Sequence, residues 1–350
     1  MRQYNYSPSI CHDLIASKIT GKHGYDRFKN KTRWRRILRN QIHNLLGDIP
    51  HNRISLEYDT LWTKETQFGS IQKIVYTSEP GADIPAYLCL PKNGKAPYPI
   101  FICLQGHTSG MHNSIGLDLE TESERIEIDG DRDFALECLK RNIAAFCIEG
   151  RDFGYLKETR ISVNAYISNI VEKRKDSCYD TAARAFMIGR TLVGERLYDV
   201  DRGIDFLHTR NDIDPSRIGA VGMSAGGMLV IYAMALLDRI QFAMPAGHFC
   251  SFKESLLSNH HCGCCYVPGI YKSADMPDIA GLFAPKPVVI VTGKEDPSKP
   301  IDAVVRSFNK LKRIYADAGA ENNCRLVIGD GGHRFYAELA WQEMQGFLGM

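Results

Sequence analysis

Short apolar stretches of strand length recur along the chain from about residue 70, and turn residues separate them. Eight are rich in β-branched or aromatic residues, as buried strands are. They cover 71–76, 86–90, 100–104, 144–148, 217–222, 242–245, 288–291 and 325–328. Helical patterns separate the later ones, at 133–141, 180–208, 228–237, 301–318 and 335–348. This alternation predicts a mostly parallel sheet of about eight strands with helices on both faces, and the first two strands are expected to form an antiparallel edge.

The first 55 residues have a helical pattern instead. Apolar side chains recur at helix spacing between Trp34 and Leu46, and five basic residues lie before and between them, at 31, 33, 35, 36 and 39. This is typical of a basic amphipathic helix whose apolar stripe packs on the rest of the protein. Contact with a partner or a second copy is the alternative. We expect residues 1–69 to be an N-terminal helical extension packed on a main domain of residues 70–350.

Composition and charge exclude some classes of function. The chain has 350 residues, 44% of them hydrophobic, and a formal net charge of +2, which gives no strong field for nucleic acid or a membrane surface. Its start lacks the apolar core of a signal peptide, and no stretch approaches the roughly 20 apolar residues that span a bilayer. We therefore expect a cytoplasmic protein with a small-molecule partner, no nucleic acid and no membrane. A homo-oligomer is possible.

The cysteines fit a reducing compartment. There are eleven, an odd number, and Cys89, Cys103 and Cys147 fall within predicted strands. Small buried thiols are ordinary core residues in such a compartment, so no disulfide framework follows.

A Gly-x-Ser-x-Gly motif lies where the strand at 217–222 passes into the helix at 228–237. It comprises Gly222, Ser224 and Gly226. A serine on a sharp turn between strand and helix projects its hydroxyl clear of the sheet, and glycines two residues away remove collisions with neighbouring backbone. The pentapeptide alone is compatible with an ordinary Gly/Ser loop. The strand before it and the helix after it favour a nucleophilic serine.

A serine hydroxyl needs a base and an acid, and both follow in the order that this turn demands. Asp296 comes after the strand at 288–291, with Glu295 as the competing acid. His333 lies in a glycine-rich loop after the last strand. The alternatives are a helix-capping or turn role for Asp296 and a surface position for His333. Their joint occurrence after successive strands favours Ser224 as nucleophile, His333 as general base and Asp296 as orienting acid.

The strand at 100–104 ends in Gln105, Gly106 and His107. A loop at this place supplies one backbone amide of an oxyanion hole, and the residue after the nucleophile supplies the other. The amides of Ala225 and His107 are therefore the predicted donors. The imidazole of His107 is either a pocket group or a packing group.

Two insertions are expected to shape a substrate pocket beyond the carboxyl ends of the strands. The one at 108–132 is acidic, with a solvated excursion as the alternative. The other, at 250–282, contains the run from His260 to Cys265, two histidines and three cysteines around one glycine. Thiolate and imidazole are preferred zinc ligands, but here they are too crowded for the usual paired spacing. We expect a packed pocket wall and no metal.

Two basic residues are candidate substrate contacts. Arg151 follows the strand at 144–148 and could bind an anionic substrate group; the alternative is a buried ion pair with Asp152 or a neighbouring acid. His260 is the second candidate, from the pocket-wall segment.

Residues 70–350 resemble the dienelactone hydrolase-like and acetyl xylan esterase-like branch of the α/β-hydrolases. The matching motifs lie at 103–107, 149–154, 222–226, 261–264, 267–269, 278–287, 293–297 and 331–335. The resemblance implies an α/β-hydrolase fold and a serine esterase without a cofactor, with Ser224, Asp296 and His333 at the triad positions. It also implies that the segment at 261–264 is a structural signature near the pocket. Gln105 departs from the commoner His-Gly opening of the oxyanion loop, and a serine replaces the nucleophilic cysteine of true dienelactone hydrolases.

We therefore expect hydrolysis of short-acyl carboxylic esters, acetyl esters above all, through an acyl-enzyme on Ser224. One alternative is a serine peptidase of the prolyl oligopeptidase kind, although residues 1–69 cannot hold the propeller domain usual there. A thioesterase and a non-catalytic binding protein with the same fold are the others.

Overall fold

The computed structural model describes residues 6–50, 52–107, 109–157 and 178–349. Its centre is a nine-stranded sheet in the order β1-β2-β3-β5-β4-β6-β7-β8-β9. Pairing is antiparallel from β1 through β3 to β5 and parallel from β5 onwards. The strands are β1 (Tyr58–Glu65), β2 (Gly69–Glu79), β3 (Ala82–Pro91), β4 (Tyr98–Leu104), β5 (Ala144–Ile148), β6 (Ile213–Met223), β7 (Phe242–Ala246), β8 (Val288–Gly293) and β9 (Cys324–Gly329).

Helices cover both faces of this sheet. Numbered over the described residues, they are α1 (Pro8–Ala16), α2 (Lys31–Leu46), α3 (Phe134–Lys140), α4 (Tyr179–Met187), α5 (Leu192–Leu207), α6 (Ala225–Leu236), α7 (Ile270–Ser273), α8 (Met276–Gly281), α9 (Ile301–Asp317) and α10 (Ala337–Leu348). Side chains of a strand alternate between faces. Ile100 and Ile102 of β4 accordingly join the core under α2, α5, α6, α8 and α9, whereas Phe101 and Cys103 join the core under α3 and α10.

The amphipathic helix predicted near the N-terminus is α2. Trp34, Leu38, Ile42 and Leu46 line one side of it and are buried in the main core. Asn30 caps the helix, because its side-chain oxygen accepts a hydrogen bond from an amide in the first turn at 2.8 Å. The apolar stripe thus packs against the sheet-covering helices.

The sheet has one strand more than the eight predicted. The additional strand is β1, which lies within the stretch assigned to the helical extension, so the sheet begins before residue 70. Its residues are mostly exposed, and large apolar side chains such as Leu61 lie 55% exposed. An edge strand lacks the continuous apolar run of a buried strand, which is why the sequence pattern did not reveal it.

The helix predicted over 180–208 is divided into α4 and α5. Gly189, at φ +77°, turns the chain between them, and the hydroxyl of Thr191 caps α5 by accepting from the amide of Gly194 at 2.9 Å.

The acidic insertion at 108–132 is partly docked on the fold; its first residue, Thr108, lies outside the described residues. Glu122 accepts hydrogen bonds from Trp62 Nε1 at 3.0 Å and Tyr155 Oη at 2.5 Å, and it pairs with Lys73. These bonds attach the insertion to β1 and β2. No helix in the described part of the chain is long and apolar enough to cross a membrane.

Candidate active site

Ser224 occupies the turn between β6 and α6. Its backbone angles, φ 58° and ψ −120°, are ones that L-residues rarely adopt. The amide of Ser224 donates to the carbonyl of Ala246 in β7 at 2.9 Å, which fixes the turn to the neighbouring strand. A Cβ on Gly226 would lie 1.9 Å from the carbonyl oxygen of Leu104, so only glycine lets the turn approach β4 this closely. The geometry is that of a nucleophile elbow.

Asp296 and His333 are hydrogen-bonded to each other. Asp296 follows β8, His333 follows β9, and His333 Nδ1 lies 2.5 Å from Asp296 Oδ2. The other carboxylate oxygen accepts from the amide and the hydroxyl of Ser298 at 2.9 and 2.6 Å. Burial alone would raise the pKa of Asp296, but the hydrogen bonds from His333 and Ser298 outweigh it and hold that pKa below its ordinary value. The side chain is therefore a buried carboxylate that orients the imidazole.

Glu295, the competing acid in the sequence, is exposed. Its neighbour Asp296 is 3% exposed and is the residue bonded to His333. The geometry thus selects Asp296 as the partner of the imidazole.

The imidazole of His333 lies over the backbone that follows β7. A Cβ on Gly247 would come 2.9 Å from Cε1 of His333 and 3.2 Å from the terminal methyl of Met223. Gly247 follows Ala246, the residue that accepts the hydrogen bond from the amide of Ser224. The loop after β9 thus brings His333 to the carboxyl ends of β6 and β7, where Ser224 lies.

The loop after β4 lies against the serine. A Cβ on Gly106 would lie 3.0 Å from Cβ and 3.7 Å from Oγ of Ser224, and His107 follows directly. Ala225 is the first residue of α6, and helix geometry leaves an amide at that position without an intrahelical acceptor. The structure therefore brings both predicted oxyanion segments to the elbow.

Gln105 anchors this loop from inside the protein. Its side chain is buried and donates hydrogen bonds to Ser114 Oγ at 2.8 Å and to the carbonyl of Arg132 at 2.7 Å. Gln105, which stands where a histidine is commoner, therefore attaches the oxyanion loop to the insertion at 108–132.

The imidazole of His107 packs against other side chains. Its Nε2 lies 2.9 Å from Sγ of Cys264, and its ring meets Phe153 edge to face at 5.3 Å between centroids. The ring thus joins the oxyanion loop to the insertion at 250–282.

Arg151 lies in a buried ion-pair network, which was the alternative to binding an anionic substrate group. Its guanidinium contacts Asp199 at 2.7 Å, Glu79 at 2.8 Å and Glu195 at 3.6 Å. Burial opposes the charge, but these three carboxylates raise the pKa of Arg151 above its ordinary value. The guanidinium therefore pairs with acidic residues of the protein itself.

His260 is exposed on the insertion at 250–282. Its imidazole lies 3.3 Å from the hydroxyl of Tyr179, at the start of α4. It lies at the rim of the pocket-wall segment rather than in its interior.

Buried basic groups beside Asp296 were not identified from the sequence. Lys299 is 2% exposed, and its Nζ lies 3.0 Å from Nε2 of His261 and 3.1 Å from the carbonyl of Ser298. His248 lies next to His261, 6.3 Å between ring centroids. Burial, followed by the charge of Lys299, lowers the pKa of both imidazoles. Lysines are seldom buried, so nothing in the pattern singled this one out.

Two sequence comparisons match this chain to known proteins. The family model of the prolyl oligopeptidase family matches residues 185–345, a stretch that contains Ser224, Asp296 and His333. The chain is 25% identical over 299 residues to "Putative hydrolase YtaP" of Bacillus subtilis (strain 168), covering 84% of this chain and 92% of that protein.

Solved structures share the whole fold. A "putative acetyl xylan esterase" from Bacteroides fragilis NCTC 9343 superposes with a TM-score of 0.80 at 14% identity, over 99% of this chain and 96% of that one. A glucuronoyl esterase from Solibacter usitatus superposes with a TM-score of 0.63 at 14% identity, over 91% of each chain.

The sheet, the elbow and the structural neighbours define an α/β-hydrolase fold. More narrowly, the chain is a hydrolase of the serine type. The α/β-hydrolase fold class predicted from the sequence is confirmed.

Proposed function

We propose that the protein hydrolyses short-acyl carboxylic esters through an acyl-enzyme on Ser224. The observation that carries this proposal is the position of the Asp296–His333 pair. His333, which is bonded to Asp296, lies against Gly247, one residue from the carbonyl that holds the strained turn of Ser224. A nucleophile, a base that the fold brings close to it, and an acid that orients the base are the parts that acyl transfer needs.

In this mechanism, His333 Nε2 takes the proton of Ser224 as Oγ attacks the ester carbonyl. Asp296 stays ionised, holds Nδ1 and stabilises the imidazolium. The amides of Ala225 and His107 bind the developing oxyanion. His333 then gives the proton to the departing alcohol, and a water molecule activated by the same imidazole releases the acid. No metal or cofactor takes part in these steps.

The preference for small acyl groups draws on the structural neighbour described as an acetyl xylan esterase. A cytoplasmic site of action belongs to the same proposal and rests on the cysteine content of the chain.

A second candidate is peptide hydrolysis, which the match to the prolyl oligopeptidase family favours. Peptidases and esterases of this fold share the elbow and the triad order, so the substrate assay has to separate them.

The test is hydrolysis of p-nitrophenyl esters of increasing acyl length, beside a prolyl-p-nitroanilide peptide. The wild type is compared with Ser224→Ala and with Ser216→Ala, an exposed serine on the same strand. We expect activity to peak at acetate, to fall by at least about 10³-fold in Ser224→Ala and to persist in Ser216→Ala. Faster cleavage of the peptide would support the peptidase. Absence of activity, together with absence of labelling by a fluorophosphonate, would indicate a non-catalytic binding protein.

A further inference from the structure

Four potential metal ligands from three separate segments meet beside the oxyanion loop. They are His107 after β4, Cys178 just before α4, and Cys262 and Cys264 in the insertion at 250–282. Their ligand atoms all lie within 4.8 Å of one another, and Nε2 of His107 is 2.9 Å from Sγ of Cys264. We refer to these four residues as the Cys3His cluster.

This donor set is one that zinc prefers. Bonds of about 2.3 Å to sulfur and about 2.0 Å to nitrogen place neighbouring atoms of a tetrahedral site about 3.5 to 3.8 Å apart. Ligand atoms already within 4.8 Å of one another need only small side-chain movements to reach those separations. Cys178 and Cys264 are buried, at 2% and 1% exposure, and His107 and Cys262 are half-buried. We propose that the Cys3His cluster binds one Zn²⁺ ion.

The surroundings suit a negatively charged cluster. Three thiolates with Zn²⁺ carry a net charge of −1, and the buried guanidinium of Arg196 lies 3.5 Å from Sγ of Cys178. The same guanidinium donates to the carbonyl of Arg151 at 3.0 Å, which holds it in place. The amide of Cys178 also donates to Sγ of Cys262 at 3.2 Å. Donors aimed at the sulfurs stabilise thiolates and orient the ligands.

The expectation of no metal rested on the run from His260 to Cys265 alone. The fold takes only Cys262 and Cys264 from that run and adds one ligand from each of two distant segments. His261 bonds to Lys299 instead, and Cys265 is not one of the four. Crowding within the run therefore does not bear on the site that the fold assembles.

Four protein ligands close the coordination sphere, which is the pattern of a structural zinc and leaves no position for substrate. The ion would join the oxyanion loop to the insertion at 250–282 and to the start of α4. Gly106, the residue before His107, lies against Ser224. On the proposed function, the zinc thus positions the His107 amide without touching substrate.

Metal analysis of the full-length protein, purified without chelators, tests the site. We expect about one zinc per chain in the wild type, and loss of most of it in Cys178→Ser and Cys264→Ser. The matched control is Cys265→Ser, which removes a buried thiol from the same segment and should keep its zinc. Replacement of zinc by Co²⁺ in the wild type should produce the thiolate-to-cobalt charge-transfer band and the visible bands of a tetrahedral site.

A wild type that holds no stoichiometric zinc and shows no such cobalt bands overturns the proposal. A disulfide between two of the three cysteines would also overturn it. Such a disulfide would show as a mass two hydrogens below that of the reduced chain in freshly purified, metal-free protein. The cobalt spectrum of the wild type decides the matter even if the serine variants do not fold. Zinc without esterase activity would refute the proposed function alone, and esterase activity without zinc would refute the metal site alone.

Discussion

The backbone of Gly247 supports the imidazole of His333: a Cβ at residue 247 would lie 2.9 Å from Cε1 of the ring. Gly247→Ala should therefore displace the imidazole from the serine. Because small misplacements of a catalytic group are costly, we expect kcat to fall by about 10- to 100-fold. Steady-state ester hydrolysis measures this effect.

The control is Gly319→Ala. Gly319 has a similar positive φ, +70° against +61° for Gly247, but a Cβ there would meet nothing within 4 Å. Both variants should lose about 1 kcal/mol of stability to backbone strain. Equal kcat in the two variants would show that a clash between residue 247 and the imidazole ring does not cause the loss of activity.

Replacing Asp296 by asparagine should impair catalysis much more than replacing its neighbour. Asp296→Asn removes the carboxylate that accepts from His333 Nδ1, and an amide there favours the wrong tautomer of the imidazole. We expect kcat to drop by roughly 10³- to 10⁴-fold. Glu295→Gln alters an exposed side chain and should leave kcat within about twofold of the wild type, since surface substitutions act weakly. A large loss in Glu295→Gln instead would reverse the assignment.

Glu149 should make stability depend on pH. Burial raises its pKa from 4.5 to about 7, although amides of Tyr155 and Met111 bond to it and partly oppose the shift. Between these values the folded protein holds a proton that the unfolded chain has released. This contribution is therefore complete below pH 4.5 and is lost as pH rises to about 7.

The loss in that window should amount to about 3 kcal/mol. Urea unfolding of the wild type and of Glu149→Gln at several pH values measures it. The difference between the two free energies of unfolding should decrease with rising pH. A difference that stays constant across the window would show that Glu149 does not titrate there.

Arg151→Ala should affect stability rather than substrate choice. It leaves Asp199 buried without its guanidinium partner, whereas Glu79 and Glu195 keep Arg190, and breaking a buried pair costs about 3–5 kcal/mol. Arg306→Ala, which removes an exposed ion pair, should cost little. Denaturant unfolding measures both variants. If Arg151→Ala changed the preference between neutral and carboxylate-bearing esters, the arginine would contact substrate after all.

The strands were predictable where both faces of the sheet are covered. Buried parallel strands such as β4 and β8 are continuous apolar runs between turn residues, and their bounds fall within a few residues of the prediction. The exposed edge strand β1 has no such run. The break between α4 and α5 depends on the positive φ of Gly189. A glycine within a helical pattern does not by itself predict a positive φ, so the break could not be predicted.

Chain order placed the candidate nucleophile, acid and base, because each follows its own strand. The sequence could not show whether Glu295 or Asp296 pairs with the histidine, because the two are adjacent and the pairing depends on which carboxyl faces the interior. The positions of Lys299 and Cys178 near the site could not be predicted for a similar reason. Each acquires its significance only from residues far away in the chain, His261 and the cysteines of the insertion.

The pairing of β4 with β6 has a consequence for how this protein folds. Ile100 lies opposite Ile218, so the centre of the sheet joins positions separated by more than a hundred residues. Closing so long a loop costs chain entropy before any contact compensates for it, and parallel pairings of this kind form slowly. The strand that carries Ser224 therefore has no completed ladder early in folding. Its apolar run is exposed to aggregation during that interval, and slower synthesis at lower temperature should raise the yield of native protein.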